Sequence, residues 1–148
     1  MLVIIAGAGR VGVGLARNLR SENRDVVLLD DSASSVKSAQ NIDELVLHGD
    51  AMDREKLKMA GIHHASVFIA ATGSDERNLL ACALARHEYS RGPNSADELV
   101  TICRVSEPDI VKESKSGMLR EWSGVDHSVL PIDGSINRLK TGLRVTSF

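Results

Sequence analysis

Leu2-Val3-Ile4-Ile5-Ala6-Gly7-Ala8-Gly9-Arg10-Val11-Gly12 is the stretch that decides the fold. Its first half is a continuous apolar, β-branched run, the pattern of a central parallel strand with helices packed on both faces. The glycines that end the run fall in the spacing G-x-G-x-x-G. Beyond them Val11, Leu15 and Leu19, with Ala16 beside them, recur at helical spacing, and Arg17, Arg20 and Glu22 give that helix a wet side. The glycine pattern alone is weak, but strand, tight turn and helix in this order are the context it requires. Gly7 permits the turn, Gly9 keeps a β-carbon away from an approaching pyrophosphate, and Gly12 lets the helix lie against the sheet. The helix then offers its N–H groups and positive dipole end to the phosphates. The alternative is a relic turn that only preserves the fold.

The same alternation repeats outward from this unit. Val26-Val27-Leu28-Leu29 reads as a second strand, followed by a polar segment to Asn41 with a weak helical stripe at Val36 and Ala39. Leu45-Val46-Leu47 gives a short third strand, and Asp53 caps a helix to about Ala60, which Gly61 stops. Val67 to Ala71 is a fourth strand. Asp75 is expected to cap the longest helix, about 76–89, with Leu79, Leu80, Ala83, Leu84 and His87 along one side and an alanine-rich back against the sheet. Residues 90–97, with Gly92-Pro93-Asn94-Ser95, read as an exposed, mobile loop. Leu99 to Cys103 is a fifth strand, Pro108 opens a short helix, Ser128-Val129-Leu130 is a sixth, edge strand, and an amphipathic helix at about 134–143 closes the chain. Strands and helices alternating at this spacing predict an α/β, doubly wound parallel sheet of Rossmann type, strand order 3-2-1-4-5-6, in a single domain over 1–148.

That order brings the ends of strands one to four to one rim, where ligands bind in open α/β sheets. Asp30 closes the second strand where a carboxylate accepts hydrogen bonds from the adenosine ribose, and its charge favours NAD over NADP. Asp31 is the alternative for that role, and a helix cap is the alternative role for Asp30. Arg10, in the glycine turn, either folds over the pyrophosphate or is a solvated arginine. Gly49-Asp50-Ala51 follows strand three, where a small residue lets adenine lie on the backbone, and Asp50 caps the next turn or reaches the base amine. Ala71-Thr72-Gly73-Ser74-Asp75 faces the glycine turn, Gly73 permits close approach of the second ribose or the nicotinamide, and Asn78 holds the loop by capping backbone groups. His63 and His64 have no carboxylate or cysteine at metal-ligand spacing and read as a surface loop, and His48 edges the adenine pocket or is a partly buried histidine.

Composition limits the function classes. Lys and Arg number 18 against 20 for Asp and Glu, a formal charge of -2, so nucleic acid is not an expected partner. Cys82 and Cys103 sit in apolar segments as reduced core residues, and no apolar window is long enough to insert in a membrane. Hydride transfer needs a substrate pocket and a proton donor over the nicotinamide, and no Ser-x-x-x-Tyr-x-x-x-Lys arrangement or His-Asp relay is present. A binding module is therefore expected rather than an enzyme, with a small NAD-dependent oxidoreductase domain needing a partner-supplied substrate site as the alternative.

The glycine turn with Arg10, Asp30, Gly49-Asp50-Ala51 and the run Ala71-Thr72-Gly73-Ser74-Asp75-Glu76-Arg77-Asn78-Leu79-Leu80 together resemble the nucleotide-binding N-terminal domain of Trk and Ktr type potassium uptake regulators, the TrkA-N or RCK domain. Arg104 after strand five, Gly124-Val125-Asp126 and Pro131 extend the likeness over nearly the whole chain. The resemblance implies a cytoplasmic module, peripheral to the inner face of the membrane through a partner, that forms a homo-dimer or higher ring under a potassium channel or transporter subunit. Bound NAD or NADH, or alternatively ATP or ADP, would alter ring geometry and so ion flux. Residues 90–97 are longer than the family norm and the ligand-binding domain that commonly follows is absent. A stand-alone domain and a fragment of a longer protein are both consistent with that. An apolar stripe at Ile132, Ile136, Leu139 and Leu143 is a candidate interface or a cover for the sheet edge.

Overall fold

The computed structural model describes residues 1–41, 45–94, 98–107, 109 and 126–129. Its strands are β1 (Leu2–Ala6), β2 (Asp25–Asp30), β3 (Val46–His48), β4 (Val67–Ala70), β5 (Val100–Arg104) and β6 (His127–Val129). Its helices are α1 (Arg10–Ser21), α2 (Ala33–Gln40), α3 (Arg54–Ala60) and α4 (Asp75–Ser90), with a 3-10 turn at Ile62–His64. All the strand pairs are parallel, and the order is β3-β2-β1-β4-β5-β6. This is the expected doubly wound sheet, and its order reverses between β1 and β4. The expected helix after Pro108, the helix at 134–143 and the stripe from Ile132 to Leu143 lie outside the described residues.

Strand alternation divides the core between two faces. Val3, Ile5, Leu28, Val67 and Ile69 pack with Leu15, Ala16 and Leu19 of α1. Ile4, Ala6, Leu29, Phe68 and Ala70 pack on the opposite face with Leu57 of α3 and Ala81, Cys82 and Ala85 of α4. Because both faces are covered, β1 and β4 read as unbroken apolar runs. Each such Ile, Leu or Phe side chain, fully removed from water, stabilises the fold by about 1.5–3 kcal/mol. Cys82 and Cys103 are buried free thiols, as expected, and burial pushes the Cys82 thiol above its ordinary range.

Helix boundaries follow local chemistry, with corrections at α4. Asp53 caps α3 through Glu55 N, and Gly61 ends it in the left-handed region at φ 95°. The cap of α4 is Ser74, whose hydroxyl accepts from Arg77 N, while Asp75 is the first helical residue. The buried face of α4 is Asn78, Ala81, Cys82, Ala85, Glu88 and Tyr89. The alanine-rich back thus lies on the sheet as expected, and on the other side Leu79 and Leu84 are half-buried at the core's edge, Leu80 is 50% exposed and His87 faces water. The small residues win the inner face because the helix then seats close to β4 and β5, whose own side chains fill the layer.

Residues 91–94 form no regular element but are anchored. Asn94 donates to His63 O at 2.9 Å, and a β-carbon at Gly92 would lie 2.7 Å from the His63 ring. At the far edge Asp126 accepts from Thr101 N at 2.8 Å and pairs with Arg86, tying the approach to β6 onto β5 and α4.

Candidate functional site

The carboxyl ends of β1 to β5 open onto a cleft of about 490 Å³ lined by the glycine turn, the β2, β3 and β4 loops, and side chains from α4 and β5. The three motif glycines serve different ends. Gly7 has φ 115° and lies so close to β4 that a β-carbon would sit 2.8 Å from Ala71 O, so only glycine fits. At Gly12 a β-carbon would fall 1.8 Å from Gly7 O, which makes that glycine a packing requirement of α1 on the turn. A β-carbon at Gly9 meets nothing within 4 Å, so the space above it is open to a ligand. Gly9 also stands at the N-cap of α1 with no side-chain cap, leaving the first-turn N–H groups to face the cleft. Arg10 is exposed on the cleft's rim and Val11 lines its wall.

Asp30 holds the turn in place. One carboxylate oxygen accepts from Ala8 N at 2.7 Å and the other from Ser32 N at 2.7 Å, so the end of β2 positions both the glycine turn and the start of α2. The α2 cap itself is Ser32, through Ser35 N. Each Asp30 oxygen keeps a second lone pair for a hydroxyl donor. Asp31 instead pairs with Arg77 Nη2 at 3.0 Å, and the same nitrogen reaches Asp50 Oδ1 at 3.2 Å. Asp50 Oδ1 also accepts from Met52 N at 2.9 Å, the capping role expected of it. Gly49 lines the cleft, but the room left by its missing side chain is taken by the Lys56 methylenes, 2.6 Å from where a β-carbon would be. Packing of Lys56 is thus a structural requirement for that glycine, which still lines the cleft. His48 is exposed, with Nε2 3.1 Å from Asp31 O.

The opposite wall is organised by Asn78, which is buried. Its amide oxygen accepts from Thr72 N at 3.0 Å and from the Thr72 hydroxyl, and its nitrogen donates to Thr72 O at 3.0 Å and Arg104 O at 2.7 Å. This is the loop-holding role expected of it, extended to β5. Arg104 Nη1 donates to Thr72 O at 3.3 Å, while its buried Nε has no partner among the described residues. A β-carbon at Gly73 meets nothing within 4 Å.

Of the residues singled out in the sequence, Gly7, Gly9, Arg10, Val11, Asp30, Asp31, Gly49, Asp50, Ala51, Ala71, Thr72, Gly73 and Arg104 line the cleft. Ala8, Gly12, Asp75 and Asn78 do not line it. Asp75 turns away, accepting from Ser106 N at 2.8 Å, Ser106 Oγ at 3.0 Å and Glu107 N at 3.0 Å. Arg77 also lines the cleft, a place that the sequence pattern does not single out. The pattern offered one signal, an arginine on the first turn of a helix that starts at the rim.

A second charged group was also missed. Glu88, 1% exposed, accepts from Arg54 Nε at 2.8 Å and lies 3.2 Å from His63 Nε2 and 3.9 Å from Lys58 Nζ. Its hydrogen bond to Arg54 outweighs burial and holds its carboxyl below the usual range. His63, expected in a surface loop, therefore has a carboxylate partner 25 residues away in sequence. Among the described residues no group of His, Cys, Asp and Glu is placed to hold a metal ion, and no helix is long and apolar enough to cross a membrane.

Comparison with known proteins agrees with the geometry. Residues 3–131 match the model of the TrkA-N domain. The chain is 40% identical over 132 residues to a Trk system potassium uptake protein TrkA homolog of Methanothermobacter thermautotrophicus, covering 88% of this chain and 55% of the relative. It is 39% identical over 109 residues to the homolog of Pyrococcus horikoshii, covering 73% and 45%. The chain thus spans about half the length of these relatives. Among solved structures, GsuK bound to ADP superposes with a TM-score of 0.69 at 27% identity over 99% of this chain and 34% of that one. The GsuK channel bound to NAD gives a TM-score of 0.66 at 23% identity over 86% and 21%, a likeness of fold.

Proposed function

The chain belongs to the TrkA-N domain family, and from that premise we propose that it is a nucleotide-sensing regulatory module of a potassium uptake system. In this reading the cleft takes NAD or NADH, or alternatively ATP or ADP, and occupancy changes the shape of an assembly that acts on a membrane channel or transporter subunit. The observation that carries it is the cleft at the β1–β4 switch point, with open space above Gly9 and uncapped α1 N–H groups beneath it.

The residues fit such a ligand. Phosphates would lie over Gly9 at the start of α1, with Arg10 beside them. Asp30, already oriented by Ala8 and Ser32, would accept from ribose hydroxyls, and its charge would repel a 2′-phosphate. Arg104 Nε, buried with no partner among the described residues, is a donor for an acceptor on the other half of the ligand. The matched relatives are named for potassium uptake and the superposed channel was seen with ADP, and both support the regulatory reading over a catalytic one.

A regulator of this kind works by favouring one arrangement of its copies, so nucleotide must bind two arrangements unequally. Light scattering and small-angle X-ray scattering at about 0.1 mM chain, a concentration well above the micromolar range of specific association, would show both mass and shape. We expect a dimer or larger ring whose scattering curve changes on adding NAD or ADP. A monomer with superimposable curves in all conditions contradicts the switching role.

A further inference from the structure

We propose that Arg77 is a positioning residue for the adenosine end of the cleft, stapling the loops after β2 and β3 to the first turn of α4. The inference rests on the nucleotide reading above and deepens it by assigning a residue that neither the glycine motif nor the Asp30 position points to.

The geometry is specific. Arg77 Nη2 donates to Asp31 Oδ2 at 3.0 Å and to Asp50 Oδ1 at 3.2 Å, so one guanidinium edge joins three chain segments that are remote in sequence. All three side chains line the cleft. Asp31 and Asp50 are the residues next to Asp30 and Gly49, which shape the pocket where the ribose and base are expected, and Gly49 N itself donates to Asp30 O at 2.8 Å. The bridge therefore closes a ring: Asp30 to Gly49 through the backbone, Asp31 to Asp50 through Arg77.

Charge points the same way. Asp30, Asp31 and Asp50 gather at this end of the cleft, where Arg77 is the cation seated between two of them, whereas Arg10 and Arg104 lie along the glycine turn and the β4–β5 wall. Without Arg77 the two loops would repel each other and move apart. A lysine there would keep a charge and three N–H donors, but on a more flexible stem without the guanidinium's rigid plane, so it would restore the bridge only in part.

The bridge is half-exposed, with side chains 43%, 54% and 37% accessible, so its effect on folding is small and its effect on binding comes from ordering the loops before the ligand arrives. Losing it is expected to weaken nucleotide about fivefold, the factor that corresponds to an exposed pair at the upper end of its usual worth. The loss must be equal for AMP and ADP, which share the adenosine end and differ in phosphates.

Calorimetric titration of the full chain with AMP, ADP and NAD, beside thermal unfolding without ligand, tests this in the parent chain, Arg77→Gln and Arg77→Lys. The expected result is a fivefold loss with all three ligands in Arg77→Gln, a smaller loss in Arg77→Lys, and little change in ligand-free Tm. Unchanged or tighter binding by Arg77→Gln overturns the positioning role, as does a loss seen with ADP but not AMP, which would put Arg77 on the phosphates. Absence of binding by the parent chain is a different failure, since it removes the nucleotide reading and this proposal together.

Discussion

The two ends of α4 carry charged clusters built on opposite terms. At its first turn Arg77 meets Asp31 and Asp50, all of them partly exposed and facing an open cleft. Roughly 16 Å along the helix, in its last turn, Glu88 is buried and already partnered by Arg54, with His63 and Lys58 nearby. A carboxylate with that many partners and almost no water has little left to offer a ligand, and its work is to clamp α3 and the 3-10 turn onto α4. Partly exposed carboxylates with spare lone pairs, like Asp30 and its neighbours, can exchange water for ligand at low cost. The difference teaches where to look for function on this chain: at the end whose charges are incompletely satisfied.

The largest effects should come from the glycine turn, which contains both behaviours within a few residues. Gly12→Ala forces a β-carbon against Gly7 O, a backbone atom that cannot move aside. We expect a loss of roughly 3 kcal/mol or more, visible as a collapse of the cooperative melt in circular dichroism. Gly9→Asp adds its side chain into open space, so the domain should melt as the parent does while nucleotide affinity drops about 100-fold or more through repulsion of the phosphates. Loss of the fold in Gly9→Asp, or retained binding, would erase the distinction between the two glycines.

Next in size is the clamp. Glu88→Ala should lower Tm by roughly 5 °C, from the lost charge-assisted hydrogen bond, with unchanged affinity for ADP. A change in affinity as large as the change in stability would show that the two ends of α4 are not separate. A smaller effect follows from the direction of the Glu88 shift. Its folded carboxyl lies below the ordinary value, so the stabilisation is complete above the unfolded value of about 4.3 and is lost as pH falls through the lower folded value. The Tm gap between the parent and Glu88→Gln should accordingly be constant from neutral pH to about 5 and close below about 4. A gap that persists in acid would mean that packing, not charge, sets it.

Much of this was legible in the sequence because parallel strands buried on both faces leave unbroken apolar runs, and Val3 to Ala6 and Val67 to Ala70 do. Strand order and the rim followed from those runs, and Asp30 followed from its place at the end of β2. What escaped detection depends on contacts between distant segments. The choice of Ser74 over Asp75 as the α4 cap is settled by Ser106 and Glu107, which claim both Asp75 oxygens. The alanine-rich back of α4 lies on the sheet as expected, but that Leu80 and His87 on its other side stay in water depends on how tightly the helix seats there. Arg77 and the Glu88 cluster are ordinary surface-helix residues by pattern, and only the fold brings Asp31, Asp50, Arg54 and His63 to them.

The central claim is that the cleft binds an adenine nucleotide and that Asp30 selects among dinucleotides. Calorimetric titration of the chain with NAD, NADH, NADP, NADPH, ATP and ADP tests it directly. NAD or NADH is expected to bind with a Kd from micromolar to submillimolar, about -8 to -5 kcal/mol, and NADP and NADPH to bind more weakly. Binding of NADP as tight as NAD would contradict the role given to Asp30, and no heat with any of the six would contradict the claim itself.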